Sequence, residues 1–213
     1  MISDISQWIV RIPVLLFSIT IHEYAHGRVA YALGDPTAKN MGRLTLNPFY
    51  HIDPLGAIAL FLFNFGWARP VPVNPLYFKD IRKGTILMAL AGPMSNLLAA
   101  IATGLLIRFF LLPIMIYKLV LLYMLFMNIG LCLFNLLPVP PLDGSHILEN
   151  SLPPETAETY HKIGRYGPGI ILGIVLLDNF AHTGILTFLL LRPMFILASI
   201  IAGSNLGYLL HCI

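Results

Sequence analysis

Residues 84–112 and 114–137 each run for more than about twenty mostly apolar positions with only isolated charges, which leaves the backbone few choices. A hydrocarbon core about 30 Å thick offers no partner for a peptide N–H or C=O, so a segment that crosses it satisfies its own backbone as a helix. A third apolar stretch, 7–33, ends at Gly34, Asp35 and Pro36, a strong stop signal. Of the 213 residues 57% are hydrophobic and only 11% charged, against roughly 25% charged in an average soluble domain. An all-α membrane protein is expected.

The remaining segments are shorter. Residues 54–65 would reach only about 18 Å as a helix, too little for a crossing, and suit a re-entrant or buried segment. Residues 40–51 are too polar to span, and the alternation at Leu44, Thr45 and Leu46 suggests a short β-like loop. Prolines 70, 72 and 75 make 66–83 an ordered or interfacial loop, and Pro138, Pro140 and Pro141 end the span that began at 114 just before Asp143. Residues 153–163 read as a short surface helix. Two further apolar blocks follow in 167–213, broken at 178–184 and again at Arg192 and Pro193. The expected total is five to six helical segments, divided into a membrane core over 1–150 and a C-terminal loop with additional membrane helices over 151–213.

Several classes are disfavoured. The N-terminal apolar stretch runs on into Ile21, His22 and Glu23 instead of ending at small residues, so a cleaved signal peptide is not expected. Cys132 and Cys212 sit in apolar surroundings and indicate neither a disulfide framework nor a cysteine metal cluster. A net charge of +3, scattered along the chain, does not suggest nucleic acid.

His22, Glu23 and His26 stand as HEYAH inside the first apolar helix. Two imidazoles four residues apart lie on one helix face and can hold one Zn²⁺, with the intervening Glu near enough to act as a base. Even on forgiving insertion scales a charged residue at the centre of a span costs about 2.5–3.5 kcal/mol, so three ionisable residues within five positions call for a function. The plainer reading has the histidines bonded to neighbouring helices and Glu23 paired with a base such as Arg28. A zinc hydrolase needs a third protein ligand and an open position. Asp143, directly after the proline-broken end of a span, suits that place best, with His146, His51 and Asp53 as alternatives.

Three blocks together carry a resemblance: HEYAH in the first span, AGPMSN at 91–96 in the next full span, and NLLPVPPLDG at 135–144 after the following one. In this order they are similar to the site-2 protease family over about residues 10–150. The resemblance implies an intramembrane zinc metallopeptidase holding one Zn²⁺ per chain on His22, His26 and Asp143. It further implies Glu23 as general base and acid, Asn135 as a residue that positions the substrate backbone, and a structural or substrate-contacting role for Asn96. The stretch GWARPVPVNP, 66–75, resembles a loop of a compact branch of that family. Larger members carry a PDZ-type insertion that this chain lacks, which leaves selection to the membrane core or to an unseen regulatory partner or a homo-oligomer. Ser145 and His146 after the Asp–Gly pair are a further departure.

Charge and ligand geometry constrain the topology together. If 54–65 only dips in and returns, the span from 84 leaves and the span from 114 comes back, bringing Asp143 beside His22 and His26. One face then holds Arg28, Lys39, Arg43, Arg69, Lys79, Arg82, Lys83, Lys162 and Arg165, and the other only Arg108 and Lys118. The positive-inside rule accordingly puts the zinc near the cytoplasmic side of a multi-pass protein of the plasma membrane. The expected partners are the lipid bilayer and a transmembrane protein or peptide substrate, which residues 42–46 would hold in extended form by strand addition. A metal-binding or ion-transport protein using the same residues without hydrolysis is the main rival, and a catalytically idle scaffold the second.

Overall fold

The computed structural model describes residues 4–63 and 66–211, without the side chains of 4–7, 59–63 and 179. Cys212 and the last two residues of the expected re-entrant stretch lie outside the described residues. Three long helices form the body: α1 (Asp4–Ala32), α4 (Ile81–Phe109) and α5 (Met115–Asn135), each long and apolar enough to cross a membrane. Between α1 and α4 lie the one-turn α2 (Thr37–Asn40) and the ten-residue α3 (Pro54–Phe63). After α5 come α6 (Asp143–Ser151), α7 (Pro154–Gly164), α8 (Gly167–Ala181), α9 (Arg192–Ala202) and α10 (Asn205–His211). The helices outnumber the expected five or six because connecting segments wind into short helices of their own.

The side-chain pairings give the directions of the three long helices. Arg11 of α1 bonds Tyr123 of α5 and Ser18 bonds Asn128, so the two helices ascend together. Against α4 the order reverses, with Ser18 meeting Asn96 and His26 meeting Met88. Since α1 and α4 are antiparallel, the chain from 33 to 80, α3 included, returns to the side from which it came. At about 15 Å, α3 is too short to cross in any case.

The bundle is polar inside and apolar outside, as lipid as a solvent requires. Ser18, His22, His26, Asn96, Thr103 and Asn128 are buried, whereas Phe17, Leu98, Leu105 and Phe109 are exposed. A separate apolar core joins α4 and α5 to α9 and α10 through Ala100, Ile107, Leu125, Ile129, Ala198, Ala202 and Leu209, the small alanines letting the helices approach closely.

Two expectations change. Residues 42–46 form turns and bends instead of a strand, and the nearest β feature is one antiparallel bridge between Ile52 and Ala68. Pro70 and Pro72 lack the N–H that a continued ladder would need. The chain also passes helically through Arg192 and Pro193, because a π-helical turn (Thr187–Leu191) precedes them: the Arg192 N–H reaches back five residues to the Thr187 carbonyl, and this wider turn accommodates the proline. The sharp break comes later, at Gly203, where the paths of Thr187–Ala202 and Asn205–His211 differ by 118°.

Candidate metal centre

His22 and His26 project from one face of α1, about 9–15 Å from its C-terminal end. Asp143 reaches them as the first residue of α6, after the proline-rich turn folds the chain back over the end of α5. Gly144 permits that fold: a Cβ there would stand 2.3 Å from the Leu136 carbonyl oxygen. His22 Nε2, His26 Nε2 and Asp143 Oδ2 form a triangle with edges of 3.0, 3.1 and 3.3 Å. Three ligands on a tetrahedral zinc with bonds of about 2.0–2.1 Å lie about 3.3–3.4 Å apart.

Hydrogen bonds around the rings decide what these atoms offer. His26 donates its Nδ1–H to the Met88 carbonyl at 2.7 Å, since a carbonyl can only accept. The Asn96 Nδ2 hydrogens go to the Ser18 carbonyl at 3.0 Å and to Asn128 Oδ1 at 2.9 Å. Its Oδ1 therefore faces His22 Nδ1 at 2.7 Å and accepts that proton. Asn128 is fixed in turn by donation to Ser18 Oγ at 2.9 Å and to the Met124 carbonyl at 2.8 Å. Both imidazoles thus carry their proton on Nδ1 and turn an Nε2 lone pair inward. Asp143 Oδ2, buried, receives no hydrogen bond. Three lone-pair atoms facing one another at about 3 Å repel unless a cation lies among them, and one proton cannot satisfy all three. The set fits a divalent metal with nitrogen and oxygen preferences such as Zn²⁺.

The space is held open from α4. A Cβ on Gly92 would lie 2.3 Å from His26 Nε2 and 2.6 Å from His22 Nε2, so the glycine of AGPMSN lets α4 approach the centre that closely. Beside it, Glu23 Oε2 accepts the backbone N–H of Val71 at 2.8 Å. Pro70 and Pro72 flank that residue and carry no N–H, so within 70–72 Val71 is the one backbone donor. Buried Arg43 anchors the run by donating to the carbonyls of Arg69 (2.9 Å) and Pro70 (3.2 Å), while buried Asp35 accepts the N–H of Asn74 at 2.7 Å.

Asp143 is the one of the four weighed third ligands that the fold brings to the two histidines. Asp53 caps α3 by accepting the Gly56 N–H at 2.8 Å, His146 is exposed on α6, and His51 bonds the Thr45 carbonyl at 2.9 Å. Asn135, the last residue of α5, donates its Nδ2 to the Leu131 carbonyl at 3.0 Å. Asn96, with no exposed surface, has all its amide groups engaged, its oxygen by His22. Ser18, Asn128 and Val71 were not singled out from the sequence. Asn128 could have been, as an uncharged polar residue in the middle of an apolar span. Replacing Asn96 by Leu should weaken zinc affinity about 10–100-fold, by freeing the His22 ring and its tautomer; titration against a competing chelator measures it, and unchanged affinity would refute the orienting role.

Known proteins share this chain's pattern. The family model described as Peptidase family M50 matches residues 111–174, which include Asn128, Asn135 and Asp143. The proposed zinc metalloprotease YwhC of Bacillus subtilis is 45% identical over 166 residues, 72% of this chain and 74% of that protein. The proposed zinc metalloprotease Rip2 of Mycolicibacterium smegmatis is 29% identical over 182 residues, 83% of this chain and 69% of that one. Rip2 of Mycobacterium tuberculosis (strain H37Rv) is 33% identical over 148 residues, 66% of this chain and 56% of its own. No solved structure matches the chain. With such identity to YwhC carried across almost three quarters of both chains, and with the matched family segment containing Asp143, the chain belongs to peptidase family M50, the site-2 protease family.

Proposed function

We propose that this protein hydrolyses peptide bonds in or beside the transmembrane segments of other membrane proteins, with His22, His26 and Asp143 as the zinc ligands and Glu23 as general base and acid. Membership of the family makes it a zinc metallopeptidase, and its three long apolar helices make it a membrane protein. The observation that carries the finer reading is the position of the lone-pair triangle. It lies inside a bundle whose outer face is apolar, with the Glu23 carboxylate on the helix that carries both histidines, so a bond cut there must be brought within reach of the bilayer.

Zinc, when bound, supplies Lewis acidity toward water and a peptide carbonyl. The remaining work falls to the chain. The Val71 N–H holds Glu23 by Oε2 and leaves Oε1 to take a proton from water and return it to the departing amine. Asn96 holds His22 in the tautomer that ligation needs, which assigns it a positioning role in place of a substrate contact. Asn135, close to the turn that delivers Asp143, is assigned to hold the substrate backbone. All these residues fall within 1–150, the expected catalytic core.

Direction in the membrane follows from charge. The antiparallel α1 and α4 put Arg28, Lys39, Arg43, Arg69, Lys79, Arg82 and Lys83 toward one end of the bundle, the end nearer the histidines. By the positive-inside rule that end is cytoplasmic, in a multi-pass protein of the plasma membrane. The test is reconstitution in liposomes with a membrane-spanning peptide. Stripping the metal with a chelator should abolish cleavage and one equivalent of Zn²⁺ should restore it, followed by mass spectrometry of the products. Zinc flux without cleavage would establish the transport alternative, and cleavage by metal-free protein would sink the reading.

A further inference from the structure

We infer that the cavity between α1, α3 and residues 66–68 is the pocket for one large apolar side chain of the substrate, within about two residues of the scissile bond, and that it sets which sequences are cut. This rests on the protease reading above.

Position is the first ground. The α1 wall of the cavity is Leu15, Leu16, Ile19 and Thr20. Ile19 and Thr20 precede Glu23 by four and three residues, hence lie on its helix face about 4.5–6 Å away along the axis. The facing wall, at Trp67, runs directly on to Val71, whose N–H holds Glu23. Both walls therefore converge on the base, at a distance that an extended peptide covers in one or two residues.

Size and lining are the second. The cavity volume is about 140 Å³, close to the roughly 150 Å³ of an engineered apolar cavity that takes up benzene. That suits a Leu or Phe side chain. Ala57 of α3 and Leu131 of α5 add apolar surface, and Asp53, also in the wall, has its Oδ1 engaged by the Gly56 N–H. Its wall also includes His51, only 2% exposed, whose Nε2–H goes to the Thr45 carbonyl while Nδ1 has no partner. A buried acceptor without a donor is costly, and an N–H of a bound peptide can satisfy it. Lipid tails have no such group, which favours peptide as the occupant.

The wall is also anchored. Ile52 and Ala68 form the antiparallel bridge, and the Arg69 N–H bonds the His51 carbonyl at 2.9 Å. A wall so tied discriminates by size, since 51–52 and 68–69 cannot part without losing hydrogen bonds and the Val71 N–H holds their loop to Glu23 of α1.

The experiment scans Ala, Leu, Phe and Trp through the three positions on either side of the cleaved bond in a membrane-spanning peptide. At one position the wild type should prefer Leu or Phe over Ala by about 10–200-fold in kcat/KM. Ala57→Leu, which fills the cavity, should cut that preference at least about tenfold, whereas Leu131→Ala, which enlarges it, should shift preference from Leu toward Trp. Each value is a ratio within one protein, so partial loss of fold or zinc cancels. Ratios unchanged in both variants would leave the cavity to lipid and overturn the assignment. A binding arm separates the two proposals: a set of the same peptides carrying photo-leucine at each successive position is irradiated with the Glu23→Gln protein. Cross-links to α3 or Trp67 support the pocket even if no variant cleaves anything, an outcome that would refute only the protease reading. Cross-links confined to other helices overturn the pocket.

Discussion

Glu23→Gln protein should bind one zinc per chain and cleave at least about 10²–10⁴-fold more slowly than wild type. The amide keeps the size of the side chain and can still accept the Val71 N–H through its oxygen, so the loop at 66–75 has no reason to move. It cannot take a proton from water. His22 and His26 keep their partners at Asn96 and Met88, neither of which involves Glu23. The discriminating result is therefore metal retained and turnover lost, read by metal analysis of the purified protein beside single-turnover cleavage. Undiminished turnover would remove Glu23 from the chemistry. Loss of both together would show a packing role instead.

Asp143→Ala should lose the metal. Without the carboxylate two neutral imidazole nitrogens 3.0 Å apart remain to hold a divalent cation, with no anionic ligand to offset its charge. The loss in zinc affinity should exceed the about 10–100-fold typical of a residue that only orients a ligand, and so exceed that of Asn96→Leu. Purified protein should carry well under one zinc per chain, and equal zinc in wild type and variant would refute the ligand assignment. Removing Asp143 Oδ2, a buried oxygen that receives no hydrogen bond, should not unfold α6, and thermal unfolding of metal-free wild type and variant provides the comparison.

What was readable from the sequence, and what was not, divides by range along the chain. The three spans were readable because apolarity over about twenty residues is a local property with a strong physical consequence. HEYAH was readable for the same reason, since a helix repeat of 3.6 residues places positions 22 and 26 on one face whatever else the chain does. The limit shows at 42–46, where alternation suggested extended backbone and the chain makes turns, the prolines opposite having no N–H to pair with. It shows again at Pro193, read as a break although a π-helical turn before it carries the helix past.

By itself the sequence determined a helical membrane protein with two imidazoles and a carboxylate on one turn of its first span, since each of these follows from neighbours a few residues apart. Only the tertiary structure decided the rest of the site. The contacts that bring Asp143, and not His51, Asp53 or His146, to the two histidines, that bond His22 to Asn96 74 residues away, and that tie Glu23 to Val71 48 residues on, join residues no periodicity relates. They arise because helices buried in lipid must turn their few polar groups toward one another, and which groups meet depends on how α1, α4 and α5 are directed and packed.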